Sequence, residues 1–175
     1  MTPKLKHVLT VSVASLGFIV AIPVKAQTSS AAPITASDQP PAEVSYDAPE
    51  GWSKSSTAEA VSFSAPEEDA SLVVVRIASA ANAEEAATAA WKIHDPKFSR
   101  AVRLNSSLAA TRGWDAMRSI EYETSPAEER LVYAFVHQSK DDWQVILMDG
   151  RRGTIEKRTA AVSGLRQSFA LANYV

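Results

Sequence analysis

Two apolar runs, residues 129–139 and 143–148, stand only three residues apart, and they constrain the fold of this 175-residue chain more than any other feature. The first is apolar at consecutive positions through its centre (Leu131, Val132, Tyr133, Ala134, Phe135, Val136), and the second carries Trp143, Val145, Ile146, Leu147 and Met148. Strand side chains alternate between faces, so a run that is apolar on both parities must be covered on both. The connector Lys140-Asp141-Asp142 is far too short for a parallel crossover, which makes the pair an antiparallel hairpin. Residues 71–78 (SLVVVRIA) have the same two-sided character and add a further central strand.

Shorter signals fill in the rest. Residues 60–64 alternate as a strand that stops at Pro66, residues 102–109 form a weaker strand, and residues 114–124 alternate with Trp114, Ala116, Ile120 and Tyr122 on one face. Asp47-Ala48-Pro49-Glu50-Gly51 is turn chemistry ahead of Trp52. Residues 82–94 form a helix whose Asn82 caps the start and whose Glu85 reaches back; Ala83, Ala86, Ala87, Ala90, Trp91 and Ile93 supply its buried stripe. A last helix over residues 154–169 takes Thr154 as N-cap and aligns Ile155, Thr159, Val162, Leu165 and Phe169. The expected class is α+β: a single antiparallel sheet of five to six strands packed by two helices, in the order β-β-α-β-β-β-β-α.

The amino terminus follows a different logic. Lys4, Lys6 and His7 precede an apolar stretch of about 15 residues, shorter than the ~20 a spanning helix needs. Pro23 breaks it, and Val24-Lys25-Ala26 has the small residues of a cleavage site, so residues 1–26 read as a secretory signal peptide and the mature protein as periplasmic or secreted, with no membrane span once the leader is removed. Residues 27–43, rich in Ser, Thr, Ala and Pro, read as a flexible linker, and residues 44–175 as one domain. There is no cysteine, so the domain must hold by core packing alone. Three of the 18 Lys and Arg leave with the leader and none of the 20 Asp and Glu do, giving 15 against 20 and a net charge of −5. That balance argues against nucleic acid, whose binding is driven by cationic surface.

The search for chemistry finds no catalytic, cofactor or metal site. A Ser-x-x-Lys nucleophile, a Gly-x-Ser-x-Gly elbow and a phosphate-cradling glycine loop are all missing, and His94 and His137 read as surface or boundary residues. The acidic clusters Glu67-Glu68-Asp69, Glu84-Glu85, Glu128-Glu129 and Asp141-Asp142 fall in turns or at a helix start, where solvation and capping account for them. What remains is a candidate ligand or partner surface. Trp52 and Trp143 could stack on a flat ligand. Arg76 and Arg118 interrupt apolar strands and would frame an anion pocket if they share a face. Arg151 and Arg152 begin a basic stretch continued by Lys157, Arg158 and Arg166. Asn105-Ser106-Ser107 matches a glycosylation sequon by pattern.

Several stretches, in shared order, resemble a known family. They are Tyr46 with Pro49-Glu50-Gly51-Trp52, Ser64-Ala65-Pro66-Glu67, Ala90-Trp91, Asp95-Pro96-Lys97-Phe98, Gly113-Trp114-Asp115, Tyr122-Glu123-Thr124, residues 145–150 (VILMDG) and residues 157–162 (KRTAAV). Their order resembles the amino-terminal accessory domain of exported serine hydrolases related to β-lactamases and penicillin-binding proteins. In those hydrolases a catalytic domain follows this module; up to Val175 this chain holds no nucleophile to carry over, so the resemblance transfers no catalytic residue. It implies a non-catalytic accessory or interaction domain, free-standing or part of a truncated hydrolase. The alternative from the residues is a small-ligand module. The layout also resembles the PsbP-type fold, whose members are mostly non-catalytic binding or assembly proteins. The expected partner is an unidentified protein or small ligand, and the expected state a monomer.

Overall fold

The structure, a computed structural model, describes residues 43–174; the leader and nearly all of the linker assigned above lie outside the described residues. In chain order the elements are β1 (Val44–Ser45), β2 (Ser53–Ser56), β3 (Ala60–Ser64), β4 (Ala70–Ile77), α1 (Ala83–His94), β5 (Val102–Leu108), β6 (Ala116–Tyr122), β7 (Arg130–Ser139), β8 (Asp142–Arg151), α2 (Arg152–Lys157), α3 (Thr159–Ser168) and β9 (Ala170–Leu171). One seven-stranded sheet runs β2-β3-β4-β8-β7-β6-β5, with every neighbouring pair antiparallel, and β1 pairs with β9 in a separate two-stranded ribbon.

The two-sided strands sit where their composition requires. β4, β8 and β7 occupy the middle of the sheet, in the register Val75↔Val145 and Val136↔Val145. Odd positions of β4 and β8 (Val73, Val75, Val145, Leu147) face α1; even positions (Leu72, Val74, Ile146, Met148) face α2 and α3. The helices therefore cover opposite faces, and the domain has three layers. Trp91 fills the α1 layer, stacked on Phe98 at 4.0 Å and edge-on to Tyr122 at 5.8 Å. The alanines of α1 let its backbone come close to the sheet, leaving Ala86, Ala87 and Ala90 fully buried. On the other side Ile155, Val162, Leu165 and Phe169 complete the second core. At Gly150 no side chain fits: an added Cβ would lie 2.5 Å from that of Ala70, its cross-strand partner.

The class is as expected, with these differences. The sheet has seven strands instead of five to six, because β2 carries no apolar alternation: it is Ser-Lys-Ser-Ser, exposed throughout; the separate β1–β9 ribbon is likewise unforeseen. The last helix is two. α2 begins at Arg152, so Thr154 lies inside it and is no cap, and the chain breaks at Arg158 before α3. Asn82 does cap α1, accepting from the Glu85 N–H at 3.0 Å, while the Glu85 carboxylate accepts from the Ala81 N–H at 2.9 Å. Trp114 is not on the face of Ile120 and Tyr122. It precedes β6 in a turn where Arg112 and Gly113 take left-handed φ of 58° and 85°, and this sends its indole to the opposite core, donating to the Phe169 carbonyl at 3.2 Å.

Candidate functional site

α1 must cross from β4 in the middle of the sheet to β5 at its edge. It lies over β4, β8, β7 and β6, and its first turn stands away from β5. Between that turn and the strands opens a cleft of about 700 Å³. Trp143 and Val136, both buried, line it; Asn82 and Glu84 border it on the helix side, and Asn105, Ser107 and Arg118 on the strand side.

The polar groups here are ordered by one chain of hydrogen bonds. Asn105 Nδ2 donates to Glu84 Oε1 at 2.6 Å, tying β5 to α1. Arg118 Nε donates to Asn105 Oδ1 at 2.7 Å and its Nη1 to Ser107 Oγ at 3.0 Å. Arg118 thus reaches from β6 across β5 and is held by neutral acceptors; among the described residues it makes no ion pair within 4.0 Å. At the hairpin end, Asp115 Oδ2 accepts from the Lys140 N–H at 2.7 Å and Gln138 Nε2 donates to the Lys140 carbonyl at 3.0 Å. A fixed guanidinium with unspent donors in a cleft also lined by an indole offers chemistry for an anionic or planar group.

Of the six residues singled out from sequence, the structure brings two together here, Trp143 and Arg118. Arg76 does not join them. It alternates with Leu72 and Val74 and so faces the α3 side, whereas Arg118 alternates with Ile120 and Tyr122 and faces α1; Arg76 instead pairs with Asp142 at 2.8 Å. Trp52 is buried in the α3-side core and offers no platform. Arg151 and Arg152 are exposed at the far end of β8, roughly 26 Å from Trp143 at the usual strand rise. Near that end Lys157 and Arg158 both bond Glu67 and hold its carboxyl well down, at about 2. These basic residues brace the α2–α3 corner against the β3–β4 turn.

Asn105, Ser107 and Gln138 escaped the sequence reading as site residues. The available signal was a strand whose cleft-facing positions are polar where an interior face would be apolar. His137 was misread as a boundary residue. It is 3% exposed, with ring centroids 5.1 Å from Trp114 and 4.9 Å from Phe169 and no partner for Nδ1 among the described residues. Burial, reinforced by Arg166, pulls its pKa down to about 4. His94 is exposed beside Trp91. Among the described residues no three His, Asp or Glu side chains are grouped to hold a metal, and no helix is long and apolar enough to cross a membrane.

No family model and no curated protein matches the chain. Among solved structures, the solution structure of cyanobacterial PsbP (CyanoP) from Synechocystis sp. PCC 6803 superposes with a TM-score of 0.51 at 13% identity, covering 74% of this chain and 91% of that one. The likeness establishes a PsbP-like α+β fold, as the layout suggested. At that identity it speaks for the fold alone.

Proposed function

We propose that this is a non-catalytic accessory module of an exported protein system, acting by binding, with the α1–β5–β6 cleft as its recognition site. The observation that carries the reading is the fixed Arg118, without an ion pair among the described residues, lining the same cleft as Trp143, where the other polar groups hold one another. The acids nearby are occupied in positioning: Glu84 orients Asn105, and Asp115 holds the β7–β8 turn. Export rests on the leader pattern of residues 1–26. Association with an exported serine hydrolase rests on the ordered motifs from Tyr46 to Val162, several of which are structural: Trp91 and Phe98 stack on each other, and Gly113-Trp114 forms the turn that crosses to the second core.

Small carboxylates titrated into isotope-labelled protein test this. A binding module gives saturable shifts centred on the Trp143 indole and the β5–β6 amides, lost in Arg118→Met. Shifts centred elsewhere, or none, overturn the cleft as the site, and turnover of an ester or amide panel overturns the non-catalytic reading.

A further inference from the structure

The two edges of the seven-stranded sheet are unlike. β2 is short and polar, with Lys54 at its middle, the usual guard against unwanted strand pairing. β5 is seven residues long, and along it Val102, Leu104 and Leu108 are 43%, 54% and 37% exposed. It pairs only with β6, with a register shift between Val102 and Leu104 that leaves Leu104 to Leu108 as its regular stretch, and among the described residues no other strand pairs with its outer side. A row of open backbone donors and acceptors flanked by exposed apolar side chains takes an extended strand in preference to a helix or a compact ligand.

The cleft says which kind of strand. Asn105 and Ser107 of β5 lie opposite Ile120 and Arg118 and share the α1 face; Leu104 lies opposite Glu121 and faces the other way. Arg118, anchored to Asn105 and Ser107, holds its guanidinium over β5, the edge strand itself. A strand added there would set one parity of side chains against Arg118 and the other beside Leu104. We propose, building on the binding-module reading above, that β5 is a strand-acceptor edge: a partner protein adds an extended segment to it, with a carboxylate side chain on Arg118 and an apolar side chain against Leu104.

The test uses the full chain and an end-blocked decapeptide in which glutamate alternates with valine. Two control peptides accompany it: one with lysine for glutamate, and one whose glutamate amides are N-methylated. The expected result is binding of the glutamate peptide with slowed hydrogen exchange along β5. Affinity should fall about a hundredfold on N-methylation, as two or three edge hydrogen bonds are lost, and about tenfold in Arg118→Met. Leu104→Lys, at an exposed position, should also abolish binding without lowering the thermal midpoint. Equal affinity for the methylated peptide, or for the lysine peptide, overturns the proposal. So does a peptide-free dimer that Leu104→Lys dissolves, which would put a second copy on the edge. If no peptide binds while small carboxylates still report on Trp143 and Arg118, the strand mode fails and the cleft reading stands; if neither binds, both fail.

Discussion

Lowering the pH from 7.5 to 5 should destabilise this domain through a single residue. His137 packs against the stacked pair of Trp114 and Phe169, with Arg166 of α3 over the neighbouring Phe135 at 3.6 Å from its ring centroid. Burial is the larger cause that disfavours its cationic form and Arg166 the smaller, while the backbone at Gln144 and Phe135 opposes them in part; the folded pKa lies at about 4, against an ordinary value of 6.5. The unfolded chain therefore binds a proton that the native state refuses. Stability rises with pH wherever the unfolded state holds more protons, so the neutral-side stability is whole above about pH 6.5 and is lost as pH falls toward 4. The full difference corresponds to about 3 kcal/mol, of which about 2 kcal/mol is gone by pH 5. For a domain of this size that lowers the melting midpoint by about 7 °C. The assay is thermal or urea unfolding at pH 7.5, 6.5, 5.5 and 5, on wild type and His137→Leu. The leucine variant should hold nearly level over this range whatever its absolute stability. A variant that declines as steeply as wild type, or a His137 resonance titrating near 6.5 in the native state, would refute the argument.

Two further outcomes follow from the structure. Gly150→Ala forces a methyl to within 2.5 Å of Ala70 Cβ and 3.0 Å of Ile155 Cδ1 at the last pair of the β4–β8 ladder, under α2, and urea titration should show it less stable by ~1–3 kcal/mol. Below the histidine's window a second acid limb should appear. Glu67, held by Arg158 and Lys157, and Glu128, held by Arg100 and the Ser125 N–H, both have pKa values depressed to about 2. Their contribution is present above about pH 4.5 and is lost as pH falls through 2. Glu67→Gln with Glu128→Gln should flatten that limb in acid unfolding and leave the drop between pH 6.5 and 5 untouched.

The middle of the fold was legible because its physics is local. A run such as 131–136, apolar at every position, has one stable place in an antiparallel sheet, the interior with cover on both faces. Asn82 and Glu85 announce the start of α1 for the same reason, since capping is settled within four residues. What escaped lies where an element's role is set by its neighbours. β2 carries no apolar period because it borders solvent. The stripe from Ile155 to Phe169 is continuous enough to hide the break at Arg158, since α2 and α3 bury against one core. Trp114 has the parity of Ile120 but belongs to a left-handed turn, and the alternation rule holds only inside the strand.

The candidate site shows the same division more sharply. Its indole and its guanidinium were both picked out, but whether Arg118 shares a face with Arg76 stayed open, because parity within a strand says nothing about parity between strands until their pairing is known. The pairing depends on α1 carrying the chain from β4 to the far edge, so that β4 lies beside β8 and Arg76 falls opposite Gln144, on the face away from Arg118. Asn105 and Ser107 look like weak strand residues until that edge is placed; then they are the acceptors that hold Arg118 over β5. His137 was the one buried group within reach of a local argument. It stands two residues beyond Phe135 in a strand covered on both faces, and a strand that must hide both parities hides its histidine too.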